Sequence, residues 1–549
     1  MPEESVRPLE RGLAVLRALT ARDGARAGDL ARATGLARAT VDRVVATLVR
    51  IGYVRAHGQE LRLTPRLMEL GNAYLAASGL TGEVAARTAR LADELDESVS
   101  LAVPDGDGVR FVTQAARRRA MSVAFRIGDL LPPERCAPGA LFADAWDAAE
   151  WAAWRARTAA GPAEGAFPAL PPGPAPSDLP DLADRVAHSR STGWALDDQL
   201  IEPGLIAVAV PVRDTEGRVR YALSAVSHTS RHTADDLASA VLPRLRAEAK
   251  HLADLAGDAR PAGPGLPPPA DESAHSQAPD PAAAKAELGP GFLQSLARGL
   301  AVLRALGEAR GDGLPLTALA AATGLPRATA RRCLHTLEQE GYAAHDGRLH
   351  RPLPRILELG HAALSRLGFA ELAEPHLRDL ADRVHQSASV TVLDGTDILY
   401  VARAATVRVM SVRITVGTRF PAYATAMGRV LLAGLPARER TRLLTAAPPR
   451  ALTPHTVTDP GALGRILDRV AADGYATADQ ELEEGLRSVA VPVRDAEGRV
   501  VAALNVAQHA GPGPLRETRD ALLPALRETA AAIETDLHTA GRFNAVRLP

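Results

Sequence analysis

The sequence predicts an α+β protein in which one unit occurs twice, each copy beginning with a winged helix-turn-helix and continuing into a mixed α/β domain. The nonapeptide RGLAVLRAL occurs at residues 11–19 and again, unchanged, at 298–306. The motif ATGL-x-RAT follows in both copies, and VAVPVRD-x-EGRV recurs near the end of each. A repeat of this length indicates duplication of whole domains rather than a solenoid.

The spacing of the repeats sets the domain boundaries. Gly52 matches Gly341, an offset of 289 residues, whereas Gly204 matches Gly485, an offset of 281, so the first copy holds 8 extra residues. The Pro-, Gly- and Ala-rich segment 161–180 suits such an inserted surface loop. We predict five segments: a winged helix-turn-helix over 5–76, a degenerate α/β domain over 80–257, a Pro/Ala-rich linker over 258–290, a second winged helix-turn-helix over 291–365 and a second α/β domain over 367–541.

Composition restricts the class of protein. The chain has 549 residues, a formal net charge of -1 and two cysteines, Cys136 and Cys333, one in each copy. With one cysteine in each copy, neither a disulfide framework nor a cage of thiolates around a metal fits within one copy. The low number of cysteines suits a protein of the reducing cytoplasm. The N-terminus lacks the regions of a signal peptide, and no run of about 18 apolar residues predicts a membrane span.

Two short helices separated by a glycine turn are predicted near the start of each copy. In the first copy, the second of these helices places Val41, Val44, Val45 and Leu48 on one apolar face that docks on the preceding helices. The second copy repeats this face with Ala330, Cys333, Leu334 and Leu337. Arginine and threonine side chains are expected to point elsewhere.

This distribution of side chains suits reading of the major groove of DNA, because Arg forks reach guanine edges and the positive end of the helix dipole meets phosphates. A hairpin around a Gly turn follows in each copy and predicts a wing near the DNA backbone. The predicted DNA-binding residues are Arg38, Thr40, Asp42, Arg43, Thr47 and Arg62 in the first copy, and Arg327, Thr329, Arg331, Arg332, Thr336 and Arg348 in the second. Many three-helix domains carry such a turn without binding DNA, but two copies with two wings favour DNA binding.

The rest of each copy predicts an antiparallel sheet with helices on its faces, as in the GAF and PAS sensing folds. Residues 390–404 alternate apolar and polar around an Asp-Gly turn, which predicts a hairpin, and 407–417 are expected to add a strand. Two more strands flank the turn 496–498, and helices over 515–537 close the domain.

The order of these elements and several long motifs resemble the isocitrate-lyase-regulator (IclR) family over nearly the whole chain, twice. The second copy is similar to the β-ketoadipate-pathway branch, the protocatechuate and 4-hydroxybenzoate regulators. FLQSLARGLAVLRAL at 292–306, PAYATAMGRVLLA at 421–433 and DQELEEGLRSVAVPVRD at 479–495 carry this likeness. The resemblance implies that the winged helix-turn-helix binds DNA and dimerises, and that the GAF-like α/β domain binds an effector.

By the same resemblance, the effector pocket of the second copy forms around the PAYATAMGR segment and the last strands. The implied contacts are Met410, Tyr423, Thr425, Ala426, Asp479, Ser488 and Asn505, with assistance from Arg413. Small residues and a Gly at a helix start leave backbone N–H groups that hold an organic acid carboxylate without a dedicated Arg. Alternatively, the polar members of this set satisfy only local backbone groups.

The first copy departs from the pattern and reads LPPERCAPGALFADA at 131–145. Asp197, Asp198 and Ser224 remain where the family has ligand residues. The first pocket therefore either binds a different molecule or has become a structural partner. Cys136 is interpreted as a packed thiol rather than a redox sensor, because no resolving Cys accompanies it.

Compact catalytic signatures do not occur in this sequence, which has no phosphate-binding loop, nucleophile elbow or HExxH helix. His228, His232 and His251 are too scattered to predict a metal site. We therefore predict no enzyme activity, no cofactor and no metal.

The predicted function is a DNA-binding transcriptional regulator of catabolic genes for aromatic or other small organic acids. Its expected partners are a double-stranded operator, an organic acid effector and a second copy of the unit, paired within the chain or between chains. The alternative is a small-molecule sensor or scaffold whose helix-turn-helix elements serve dimerisation only.

Overall fold

The computed structural model describes residues 5–22, 24–80, 82–117, 125–160, 167, 170, 180–257, 291–308, 313–405, 414–511, 513–543 and 546. These residues form two compact units that do not coincide with the two copies of the repeat. The first unit extends to Arg366, and the second covers Leu367–Gly541. The predicted linker 258–290, nearly all of the insertion at 161–180 and most of the strand expected at 407–417 lie outside the described residues. Among the helices that are described, none is long and apolar enough to cross a membrane.

The first winged helix-turn-helix consists of α1 (Arg7–Thr20), α2 (Ala27–Thr34), α3 (Arg38–Arg50), the hairpin β1 (Val54–His57) and β2 (Glu60–Leu63), and α4 (Met68–Ala77). Gly35 ends α2 with a φ of 67°, a left-handed conformation that favours glycine. The predicted apolar face of α3 is confirmed, since Val41, Val44, Val45 and Leu48 are buried.

An α/β domain completes the first copy. Its elements are α5 (Gly82–Leu95), β3 (Ser98–Asp105), β4 (Gly108–Ala115), β5 (Leu130–Leu131), α6 (Ala137–Ala143), α7 (Ala148–Ala160), α8 (Leu182–Thr192), β6 (Ala195–Asp198), β7 (Leu205–Arg213), β8 (Val219–His228) and α9 (Ala234–Gly257). The strands form an antiparallel sheet in the order β5-β4-β3-β8-β7-β6. Small side chains on one face, such as Ala207 and Ala222, let α6 pack closely against the sheet.

The second winged helix-turn-helix repeats the first. It comprises α10 (Gln294–Ala305), β9 (Leu314–Pro315), α11 (Leu316–Thr323), α12 (Arg327–Gln339), β10 (Ala343–Asp346), β11 (Leu349–Pro352) and the short α13 (His361–Leu364). Its wing has three strands in the order β10-β11-β9. The predicted apolar face of α12 is buried as well, through Ala330, Cys333, Leu334 and Leu337.

The two winged domains pack against each other within the first unit, through α1 and α10. The side chain of Leu296 covers Gly12, where an added Cβ atom would overlap its Cδ1 atom. Leu9 covers Gly299 in the same way. Glycine in the repeated RGL sequence therefore makes room twice, because each copy receives a leucine side chain from the other.

The second unit is the α/β domain of the second copy. It contains α14 (Phe369–Val384), β12 (Ser387–Asp394), β13 (Asp397–Ala404), β14 (Arg419–Pro421), α15 (Ala426–Ala433), α16 (Ala437–Ala446), α17 (Pro460–Asp473), β15 (Ala476–Asp479), β16 (Leu486–Arg494), β17 (Val500–His509) and α18 (Leu515–Gly541). Its sheet order, β14-β13-β12-β17-β16-β15, matches that of the first copy. The predicted α+β class, with two winged helix-turn-helix domains each followed by a sheet domain, is confirmed.

Candidate DNA interface and effector pocket

The N-terminal half of α3 presents charged side chains to solvent. Arg38, Asp42 and Arg43 are exposed, and Thr40 is half-buried. Arg38 Nε donates a hydrogen bond of 2.9 Å to Asp42 Oδ1, one turn further along the helix. Asp42 therefore offsets part of the positive charge that this helix would offer to DNA.

The N-terminal half of α12 presents the corresponding surface with a different charge. Arg327, Arg331 and Arg332 are all exposed, while Thr329 is half-buried like its counterpart Thr40. Arg331 occupies the position that Asp42 has in α3. The two helices thus expose the same scaffold with an acidic residue in one copy and a basic residue in the other.

Each wing carries an exposed arginine, as do the two recognition helices α3 and α12. Arg62 in β2 bonds Glu60 Oε1 through Nη2 at 2.9 Å, and Arg348 lies exposed in the turn between β10 and β11. Both arginines are exposed, and their contact with a DNA backbone stays a prediction.

Two of the predicted DNA-binding residues are not exposed, so the prediction that they face outward is wrong. Thr47 and Thr336 are fully buried. The Oγ1 atom of Thr47 accepts a hydrogen bond from the backbone N–H of Leu293 at 2.9 Å, and that of Thr336 accepts one from Val6 at 2.8 Å. Both threonines lie at the edge of the apolar stripe, and it is the other copy that covers them.

The second sheet has an inner face, which we define as the face that packs against α15. Strand register places four buried polar residues there: Ser389, Thr391, Ser488 and Asn505. Within the described part of the chain, neither amide atom of Asn505 nor the hydroxyl of Thr391 has a hydrogen-bond partner. Buried polar groups are rarely left unpaired, so this face offers donors and acceptors to a ligand.

The family resemblance implies Ser488 and Asn505 as contacts but does not point to Ser389 and Thr391. Their spacing on one strand is the signal that could have found them, because residues i and i+2 point to the same side of a sheet.

The start of α15 borders the inner face and is shaped by small residues. Thr425 caps the helix, since its Oγ1 atom accepts a hydrogen bond from the backbone N–H of Gly428 at 3.0 Å. An added Cβ atom at Gly428 would overlap the carbonyl oxygen of Ala422. Ala426 is fully buried at the first helical position. The helix α15 packs against β16 and β17, the strands that carry Ser488 and Asn505, so the predicted contacts Thr425 and Ala426 lie at the start of the helix that covers the inner face.

Tyr423 and Asp479 are placed differently from the rest of the predicted set. The hydroxyl of Tyr423 donates to the carbonyl of Arg450 at 2.9 Å, and Tyr423 borders a cavity of about 170 Å³.

Asp479 forms a two-pronged ion pair with Arg487, with both bonds at 3.0 Å. Asp479 is the cross-strand partner of Arg487, which directly precedes Ser488 in β16. Because successive residues of a strand point to opposite faces, Asp479 lies on the face opposite Ser488. Its predicted place in the pocket is wrong, and Met410 and Arg413 lie outside the described residues.

A buried ion pair that the sequence did not reveal holds the loop after β15 against α15. Arg429 Nη1 donates to Glu481 Oε1 at 2.6 Å, and its Nη2 contacts Oε2. The same guanidinium bonds the carbonyls of Tyr423 and Thr477. With its charge and its donors committed to protein groups, Arg429 contributes rigidity to this pocket.

The first sheet has a corresponding inner face, which packs against α6 and carries different polar residues. Ser100 and Ser224 are cross-strand neighbours there, and neither hydroxyl has a partner among the described residues. Asp197 joins them, because it pairs with Ala207 on the same face, and its Oδ1 atom accepts from the backbone N–H of Leu200 at 2.8 Å. Burial raises the pKa of Asp197 to about 7, although nearby Arg185 lowers it. This face therefore holds a carboxyl group where the second copy has Ala478.

Cys136 occupies the position that Thr425 has in the second copy and is fully buried. Burial raises the pKa of its thiol to about 12, which keeps it protonated and unreactive. Two arginines support the surrounding backbone: Arg135 bonds the carbonyls of Leu200 and Ile201, and Arg185 bonds that of Cys136. The geometry fits the packed thiol that the sequence indicates.

Two family descriptions match the chain, each of them twice. The IclR helix-turn-helix domain matches residues 8–58 and 295–347, and the bacterial transcriptional regulator IclR C-terminal domain matches 72–254 and 361–535. Together the matches span most of the chain and reproduce the tandem order of the domains.

Individual relatives match about half of the chain at a time. The chain is 47% identical over 238 residues to the Pca regulon regulatory protein of Pseudomonas putida, covering 43% of this chain and 81% of the relative. It is 33% identical over 244 residues to the p-hydroxybenzoate hydroxylase transcriptional activator of Acinetobacter baylyi, covering 44% of this chain and 90% of the relative. A solved transcriptional regulator from Rhodococcus sp. RHA1 is 49% identical, with 46% of this chain and 100% of that chain covered and a TM-score of 0.44.

These relatives are transcriptional regulators, which confirms the prediction that the chain is a regulator and not an enzyme. The repeated family matches agree with the duplicated fold and with the exposed arginines of both recognition helices. The chain belongs to the IclR family of bacterial transcriptional regulators and carries both domains of that family twice.

Proposed function

We propose that the chain binds one operator with both recognition helices, as a covalently linked pair, and that the two half-sites differ in sequence. The observation that carries the proposal is the exchange of Asp42 for Arg331 at the same helical position. Asp42 accepts a hydrogen bond from Arg38 in α3, whereas α12 exposes three arginines over the same turns. Arg prefers guanine, while a carboxylate accepts from cytosine, so the two helices favour different base pairs.

Binding selection from randomised double-stranded DNA, with the full-length chain, tests this proposal. We expect two unequal half-sites at a fixed spacing, set by the packing of the winged domains. A perfect palindrome read equally by both helices would contradict the asymmetric operator. Absence of any selected sequence would favour the alternative, a sensor or scaffold in which the helix-turn-helix elements only pair the two copies.

We further propose that the second copy binds an aromatic carboxylic acid as its effector. Two relatives are named for the Pca regulon and for p-hydroxybenzoate hydroxylase activation. The inner face offers neutral hydroxyl and amide groups at Thr391, Ser488 and Asn505, which suit a phenolic hydroxyl and a carboxylate. Effector binding would shift the population between two arrangements of the DNA-binding domains.

A thermal-shift series separates this effector class from others. We expect 4-hydroxybenzoate or protocatechuate to stabilise the chain, by roughly 2.7 kcal/mol at about 100 times the dissociation constant, and an aliphatic diacid to have no effect. Asn505→Leu should abolish the shift without destabilising the domain, because it replaces a buried amide whose atoms are unpaired in the described structure. Ser224→Ala, on the first sheet, is the control that keeps the shift. An unchanged shift in Asn505→Leu would refute the pocket.

A further inference from the structure

Three metal-ligating side chains meet in the second winged domain, at the junction of α12 with the wing. Glu338 lies in the last turn of α12, His345 in β10 and His350 in β11. The Nδ1 atom of His350 lies 2.9 Å from Glu338 Oε1, and that of His345 lies 3.2 Å from the same oxygen. All three ligand atoms lie within 4.8 Å of one another.

Elements of the fold bring these residues together. His345 and His350 are direct cross-strand partners in the hairpin, which places their side chains on the same face. Glu338 approaches from the helix that precedes the hairpin. The sequence does not reveal this group, because the three positions follow no metal-binding spacing and converge only through the register of the hairpin.

We propose that Glu338, His345 and His350 bind a divalent cation of the Zn²⁺ class and so fasten the wing to recognition helix α12. Two imidazoles and one carboxylate are a ligand set that Zn²⁺ uses, with water in a fourth position. Tetrahedral bonds of about 2.0–2.2 Å place ligand atoms roughly 3.3–3.6 Å apart, which small side-chain adjustments reach from the present separations. His345 is half exposed, whereas His350 and Glu338 are largely covered, so the cation would enter from the side of His345.

The first copy lacks this ligand set. At the positions of Glu338, His345 and His350 it has Val49, Ala56 and Leu61. A bound cation would therefore stiffen one of the two DNA-binding domains and leave the other unchanged. This difference provides a reference site within the same chain.

Titration of the full-length, metal-free chain with Co²⁺ tests the proposal, because Co²⁺ reports tetrahedral coordination by its visible absorption. We expect one equivalent to bind, and excess Zn²⁺ to displace it. His345→Ala and Glu338→Gln should each weaken binding by more than the roughly 10- to 100-fold that loss of an outer-shell partner costs. His57→Ala, which removes an exposed histidine from the first wing, should leave binding unchanged.

Two further measurements keep the result interpretable. Circular dichroism establishes that His345→Ala and Glu338→Gln are folded, and the exposed position of His345 makes that variant well tolerated. Hydrogen exchange should show that Zn²⁺ protects amides of β10 and β11 but not those of β1 and β2. Binding of less than one equivalent by the wild-type chain, equal binding by the folded variants, or equal protection of both wings would overturn the proposal.

Discussion

The Oγ1 atom of Thr47 in α3 accepts a hydrogen bond of 2.9 Å from the backbone N–H of Leu293, which directly precedes α10. Thr336 in α12 makes the equivalent bond to Val6, which precedes α1. Each recognition helix is thus bonded to the start of the first helix of the other copy. The same two helices expose the arginines, so pairing of the copies and orientation of the DNA-facing side chains depend on each other.

Replacing Thr47 by valine tests the energetic contribution of this bond. Thr47→Val keeps the shape of the side chain but leaves the N–H of Leu293 without its acceptor. We expect the free energy of unfolding of the first unit to fall by about 1–2 kcal/mol, measured by urea denaturation. Thr40→Val, on the same helix but half-buried, is the control. Equal stability of the two variants would show that the bond contributes nothing.

The contact between Gly12 and Leu296 predicts a coupled pair of substitutions. Gly12→Ala should cost roughly 1–3 kcal/mol of unfolding free energy, because the leucine side chain must move to accept a methyl group. In the presence of Leu296→Ala the same change should cost much less, with a coupling energy of about 0.5–3 kcal/mol. A double-mutant cycle in urea measures this coupling.

Gly464 in α17 is the control for this cycle, since nothing lies within 4 Å of an added Cβ atom there. Gly464→Ala should therefore raise stability, by up to about 1 kcal/mol, through helix propensity alone. Additive effects of Gly12→Ala and Leu296→Ala would contradict the packing of α1 against α10.

Helical periodicity was sufficient to predict the buried faces of α3 and α12, because residues three and four apart lie on the same side of a helix. It was not sufficient for Thr47 and Thr336. These residues border the apolar stripe, and the atoms that cover them belong to the other copy. The bonded residues are 246 and 330 positions apart in sequence. The sequence of one helix does not encode that neighbour.

In the effector pocket, too, the position of a side chain depends on a neighbour that the sequence of one element does not encode. Family resemblance directs attention to Asp197 in the first copy and to Asp479 in the second, yet only Asp197 lies on the inner face. Successive residues of a strand point to opposite sides, so a difference of one position reverses the outcome. Register depends on the partner strand, which is why Asp479 reaches Arg487 instead of the pocket.

Asp42→Arg should give the N-terminal halves of the two recognition helices the same exposed charged residues. It removes the bond that Arg38 donates to Asp42 and gives α3 the arginine that α12 has at residue 331. We expect binding selection to return more symmetric half-sites and the slope of log affinity against log salt to become steeper, by about 0.9 for each added phosphate contact. Arg22→Ala, at an exposed position beyond the end of α1, should leave the selected sequence unchanged. Selected half-sites identical to those of the wild-type chain would contradict a role for residue 42 in base reading.

Asp197 should make the stability of the first α/β domain depend on pH. Burial raises the pKa of Asp197 to about 7, whereas an Asp in an unfolded chain titrates near about 3.9. Between these two values the folded domain holds a proton that the unfolded chain releases. The free energy of unfolding should therefore decrease as pH rises from about 4 to about 7, by up to about 1.4 kcal/mol per pH unit from this group.

Asp197→Asn removes the titrating group and keeps an uncharged side chain of the same size, so it should remove this contribution to the slope. The chain has 4 tryptophans, at positions 146, 151, 154 and 194, and tryptophan fluorescence during urea denaturation therefore follows this domain alone. Asp198→Asn, at the exposed neighbouring position, should retain the slope. If the wild-type chain and Asp197→Asn lost stability equally between pH 5 and pH 7, Asp197 would have to be ionised in the folded domain, and the inner face of the first copy would carry a negative charge rather than a neutral carboxyl group.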